Sequence, residues 1–199
     1  PGRGLGDGAE ATGLAFNVAR IPVVKHQALP AYDPRAVQGM GVTYATSTMG
    51  ADHTAGYTVA TNILKVGGDV DPLKPEGQME LSRNLQIATA MLDAFGLCIF
   101  VAFPVLDIPE AFTAIHEMAQ AHTGDAWDVD ALLQLGKETL AYEKLFNDAA
   151  GMGPADDRLP EFFKTDALPP HKVTFQGSDA GLDAVYDVVP EVAKALGIS

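Results

Sequence analysis

The stretch QMELSRNLQIATAMLDAFGLC, residues 78–98, decides the fold class. Leu81, Leu85, Ala88, Leu92 and Phe95 fall on one stripe at helical spacing, which predicts a helix over 78–95 with that stripe buried. Gly96 is placed to be the left-handed residue that closes the helix and turns the chain. Leu97 can then fold back onto the last turn, leaving Cys98 close to Asp93. Asp93 sits where the helix dipole is negative and disfavours a carboxylate by roughly 0.3–1 kcal/mol. A carboxylate at that point can accept hydrogen bonds from a ring system rich in N–H groups, and a thiolate can bind a soft metal centre.

On either side the chain reads the same way. Gly6–Phe16 is a short, weak helix, and residues 20–32 are extended between prolines. Asp33 is a good N-cap with Pro34 at the first helical position, and Val37, Met40, Tyr44 and Thr48 follow at helical spacing. Gly39 and Gly41 weaken that helix but let a neighbour approach its backbone. Residues 66–77 form a loop. Pro109 opens a helix through Phe112, Ile115, His116 and Ala119 to a stop at Gly124. Asp128 caps another, whose apolar face is Leu132, Leu135, Tyr142, Leu145 and Phe146, ending near Gly151. Residues 151–178 are irregular, and Gly181–Leu196 is a last helical stretch kinked by Pro190. There is no internal repeat and no convincing apolar–polar alternation, so the expectation is one all-α domain over residues 1–199.

With 47% hydrophobic and 20% charged residues the chain is globular rather than disordered. A net charge of −13 excludes a nucleic-acid partner, since nothing could neutralise a phosphate backbone. The single cysteine rules out an internal disulfide and, with no signal-peptide pattern visible, predicts an intracellular, cytoplasmic setting. The most apolar run, Phe95–Leu106, is too short to span a bilayer, contains Pro104 and reads as buried core, so no membrane contact is expected. The opening Pro1-Gly2-Arg3-Gly4-Leu5-Gly6, without a methionine, reads as the start of an excised piece.

On spacing alone, Cys98 fits a small buried hydrophobe better than it fits a ligand, and one thiolate cannot hold an iron–sulfur cluster, which needs about four. His53, following Gly50-Ala51-Asp52 in a short polar loop, fits a surface or core-satisfied histidine better than a proton donor on sequence alone. His116 and His122 are six residues apart on one helix, the wrong spacing for a shared metal. His26 and His171 lie in Pro-bounded loops, Arg35 pairs with a local carboxylate, and Asp156-Asp157 is a loop charge run rather than a dyad.

Asp93-x-x-Gly96-Leu97-Cys98 is similar to the pterin-binding motif of the aldehyde:ferredoxin oxidoreductase family. Residues 30–50, from Pro30-Ala31-Tyr32-Asp33-Pro34-Arg35 through Tyr44-Ala45-Thr46-Ser47 to Gly50, resemble that family's segment before a histidine. Gly2–Gly6 resembles its Glu-Gly-x-Gly turn, and residues 143–162 resemble its Glu-Arg-x-Phe-Asn … Asp-x-Leu-Pro stretch; the likeness covers roughly residues 2–175. The resemblance implies a multihelical domain of the family's C-terminal type. It implies that Asp93, with Gly96 and Leu97, meets a tungsten- or molybdenum-bound pterin, and that Cys98 is the last ligand of a 4Fe–4S cluster. His53 would stand near the metal and protonate or orient the substrate's carbonyl oxygen. The family often has a cysteine before this histidine, whereas this chain has Asp52, which alters the local electrostatics.

The family's β-rich N-terminal part, middle helical part, first Asp-x-x-Gly-Leu motif and other cluster cysteines are not in these residues. The fragment alone is therefore expected to hold neither group tightly and to be inactive. The implied activity of the parent is oxidation of an aldehyde to a carboxylic acid, with electrons passing to ferredoxin. The partners are the remainder of the polypeptide, ferredoxin and a small aldehyde. Two other readings stand beside it: the same family reducing an aromatic thioester, and a non-catalytic helical interaction module.

Overall fold

Two helices frame the molecule, α4 (Gln78–Ala94) and α7 (Val129–Ala149), and among the described residues they share the most extensive helix–helix contact. The computed structural model describes residues 2–187 together with 191, 192, 194 and 197. Before α4 come α1 (Gly2–Gly6), α2 (Gly8–Ala15), strands β1 (Val23–Val24) and β2 (Gln27–Ala28), and α3 (Gln38–Thr46). A π-helical turn, Ala60–Leu64, leads towards α4. After α4 follow a 3-10 turn at Ile99–Val101, α5 (Ala102–Asp107) and α6 (Pro109–Thr123). Beyond α7 lie α8 (Phe162–Thr165) and α9 (Asp179–Asp183). The chain is multihelical, as its periodicity implies, and among the described residues the sheet structure is one small antiparallel ribbon, in a segment expected only to be extended.

Helix α3 is buried at all nine positions and forms the centre of the larger apolar cluster. Its glycines permit this. A Cβ on Gly39 would lie 2.5 Å from Gln78 Oε1, and one on Gly41 would lie 2.5 Å from the Phe175 ring. Ile87 and Ala90 of α4 and Leu140 and Ala141 of α7 join that cluster, while Met91 and Leu92 of α4 and Leu132 of α7 join a second one with Ile115 of α6. Both frame helices thus run through both clusters. The predicted stripe on α4 is inward, but so is a polar stripe. Ser82 Oγ lies 2.7 Å from Thr43 Oγ1, and Gln86 Nε2 donates to Thr46 Oγ1 at 3.0 Å.

Local signals place several boundaries as expected. Pro109 starts α6, Gly124 ends it at φ 80°, and Asp128 Oδ1 accepts from Ala131 N–H at 2.8 Å at the start of α7. Residues 151–178 are mostly irregular.

Other expectations need correction. The short helix expected over Gly6–Phe16 is α2, and the further turn of helix α1 precedes it across a break at Asp7, where Gly8 has φ 93°. Asp33 does not cap α3. Both its oxygens are taken by the Arg35 guanidinium, at 2.9 and 2.7 Å, and it closes a single turn from which Val37 leads into the helix. On α7 the buried positions are Leu132, Gly136, Leu140, Ala141 and Asn147, while Tyr142 and Phe146 face outward, because α4 approaches from the glycine side. Phe95–Leu106 is only partly buried: Phe95, Leu97, Val101, Ala102 and Val105 pack against the second cluster, but no residue of its 3-10 turn or α5 is fully buried, and Phe100 is 73% exposed. Asp157 is not a solvated loop charge but a buried ion-pair partner of Lys25 and Lys144. Helical structure after Gly181 comprises the end of α9, a 3-10 turn to Tyr186 and helical residues at 191, 192 and 194, and the expected kink at Pro190 lies outside the described residues.

Candidate functional site

The end of α4 closes as a Schellman turn. Gly96, at φ 68°, donates its N–H to Asp93 O at 2.9 Å, and Leu97 N–H donates to Leu92 O at 3.0 Å. Leu97 packs with Phe95 against the Met91–Leu92 cluster, which locks the turn. Cys98 follows in extended backbone and is exposed. The helix end therefore presents a carboxylate and, five residues on, an open thiol, and the sulfur is not sealed among aliphatic side chains.

Asp93 lines an open cleft of about 820 Å³ between α4, α7 and the loop after α3. Asp52, Glu143, Met49, Tyr142 and Phe146 share its wall. Partial burial raises the Asp93 carboxyl above its ordinary 3.8, and the nearby Asp52 charge adds to the rise. Asp52 is held by Thr54, whose N–H and hydroxyl both donate to Oδ1 at 3.0 Å.

His53 stands beside the cleft with its Nδ1 3.9 Å from Asp52 Oδ1. Its ring centroid lies 5.9 Å from that of Tyr32 and 6.0 Å from that of Tyr57. The two tyrosine hydroxyls are 2.7 Å apart, and Tyr57 is pushed up to about 12 by burial and then by that hydrogen bond. Tyr57 meets Phe103 edge-on at 6.0 Å, and Phe103 stacks with Phe100 at 6.0 Å. A row of rings thus links His53 to the segment that begins at Cys98. His53 and Cys98 are legible in the sequence as candidates, but the row between them is not, since rings at positions 32, 57 and 103 share no periodicity.

The donor set fits part of a metal centre and not a whole one. Among the described residues no three His, Cys, Asp or Glu side chains converge, and the one thiol is Cys98. Asp93, an acceptor only when ionised, fits a ligand rich in N–H groups.

Residues 2–189 match the family model described as "aldehyde ferredoxin oxidoreductase, domains 2 & 3". The chain belongs to the aldehyde ferredoxin oxidoreductase family. A tungsten-containing aldehyde ferredoxin oxidoreductase of Pyrococcus horikoshii is 35% identical over 148 residues, which is 73% of this chain and 24% of that protein. Those of Pyrococcus furiosus and Thermococcus kodakarensis are 32% identical over the same shares, 73% and 24%. The chain therefore spans about a quarter of the length of the curated relatives it matches, 24% in each case.

The remaining histidines stand apart from the cleft. His116 and His122 are on α6, His171 is in an exposed loop, and His26 is at the ribbon tip against Glu10. Among the described residues no helix is long and apolar enough to cross a membrane.

Proposed function

We propose that this chain forms one wall of a tungsten- or molybdenum-pterin site in an enzyme that oxidises aldehydes to carboxylic acids and passes electrons through a 4Fe–4S cluster to ferredoxin. The observation that carries this reading is the helix end at which Asp93 faces the cleft and exposed Cys98 follows a locked turn. Bound there, the metal–pterin group and cluster would take up the two electrons released when an aldehyde and water become an acid and two protons.

The residues of this chain bind, orient and move a proton. Asp93 accepts hydrogen bonds from pterin N–H groups, and the Gly96–Leu97 turn fixes its direction. Cys98 contributes one of about four cluster thiolates. His53, packed against two tyrosine rings and beside Asp52, holds a proton at the substrate's carbonyl oxygen. The described residues act as one domain, a reading supported by α4 and α7 threading both apolar clusters. The exposed ring of Phe100 supports a face that the remainder of the polypeptide covers.

The test is Cys98→Ser in the complete enzyme. Iron per protomer should fall while the protein stays folded; full iron occupancy would refute the ligand role.

A further inference from the structure

The ribbon β1–β2 turns through Lys25 and His26, both left-handed, at φ 47° and 66°. This is the backbone of a two-residue type I′ turn, which favours Asn-Gly because other residues resist positive φ. A left-handed non-glycine residue costs about 1–2 kcal/mol, so this turn persists against local preference. What it achieves is the aim of Lys25. The Lys25 side chain is 3% exposed, and its ammonium makes three contacts: Ala45 O at 3.0 Å, Ser47 O at 3.0 Å and Asp157 Oδ1 at 2.5 Å. Those three use all its N–H donors. The two carbonyls lie at the C-terminal end of α3, where helix carbonyls lack partners and a cation is favoured.

The loop beyond is held the same way. Gln27 Nε2 donates to Ala51 O at 3.3 Å, and Asn147 Nδ2 of α7 donates to Thr48 O at 2.7 Å. Gly50 has φ 106°, and a Cβ there would lie 2.7 Å from Val24 O. The ribbon thus grips residues 45–51, and Asp52 and His53 follow directly.

We propose that Lys25, aimed by its left-handed turn and countered by Asp157, is a positioning residue that fixes the end of α3 and the following loop so that His53 keeps its place. The inference rests on the reading of His53 as the group that serves the substrate. Misplacement by about 1 Å costs on the order of 100-fold in rate.

The test is aldehyde oxidation by the complete enzyme carrying Lys25→Met, His53→Asn or both. Asp157 keeps Lys144 at 3.1 Å, so the first substitution strands no buried charge. Lys25→Met should lower kcat by about 10- to 100-fold with KM, tungsten or molybdenum, and iron unchanged. The double variant should be no slower than His53→Asn alone, because a residue acting through His53 has nothing left to position. Losses that multiply in the double variant, or a normal kcat in Lys25→Met, overturn the inference while leaving the His53 reading intact. A normal kcat in His53→Asn removes both. Should Lys25→Met not fold, half-buried Gln27→Ala serves instead: its smaller loss of kcat should vanish in the His53→Asn background, and a loss that persists there overturns the inference.

Discussion

Gly136 of α7 lies so close to Ile87 of α4 that a Cβ at position 136 would sit 2.1 Å from the Ile87 carbonyl oxygen. The obstacle is backbone, which cannot rotate away as a side-chain end could. This contact sets the separation of the two frame helices, and α4 carries Asp93 at its end while α7 carries Glu143 on the opposite wall of the cleft.

Gly136→Ala should therefore destabilise the chain by about 1–3 kcal/mol, the usual cost of overpacking, even though alanine gains up to about 1 kcal/mol in helix propensity. Urea denaturation checks it. A variant as stable as the original would mean that the helices part without strain.

Gly96→Ala tests a different cause. Nothing lies within 4 Å of a Cβ at Gly96, so space is free and the cost comes only from φ 68°. A loss of roughly 1–2 kcal/mol is expected. Gly96→Asn should recover part of it, since asparagine tolerates the left-handed region. Equal losses for alanine and asparagine in the same denaturation series would refute the backbone explanation.

The contrast between these glycines shows what is legible in a sequence. Gly96, Gly124, Pro109 and Asp128 act through bonds a few residues away, so their roles follow from position. Gly136 acts through a helix some fifty residues distant in the chain, and its sequence context marks it only as a weak point. The start of α3 escapes for the same reason: Gln38 donates to Thr174 O at 2.9 Å and accepts from Gln176 N–H at 2.9 Å, contacts that no local pattern announces. Gln78, Ser82 and Gln86, spaced four apart, look like a solvated face, yet they are buried because α3 and its neighbours offer them matching polar groups. For the site, the Asp93–Gly96–Cys98 geometry follows from one helix terminus. The support of His53 comes from Lys25, Gln27 and Asn147 on two other elements, and only the folded chain brings those together.

Asp93 couples the stability of the chain to pH. Its carboxyl binds a proton more tightly in the folded chain than the ordinary 3.8 implies, through partial burial and then the Asp52 charge. Well below 3.8 the group is protonated in both the folded and the unfolded chain and leaves stability untouched. As pH rises from about 4 the unfolded chain ionises first, so folding is progressively disfavoured until the folded carboxyl has ionised too. Asp93→Asn removes this loss. The variant should match the original in acid, gain over it as pH rises through that window, and keep a constant small advantage to pH 7, as read from melting temperature against pH. A variant that loses ground to the original as pH rises would show that Asp93 is stabilised rather than strained at the cleft wall, and an advantage of equal size at pH 3 would show that the gain does not come from ionisation. The carboxylate would then not be held there at a cost for a ligand to offset.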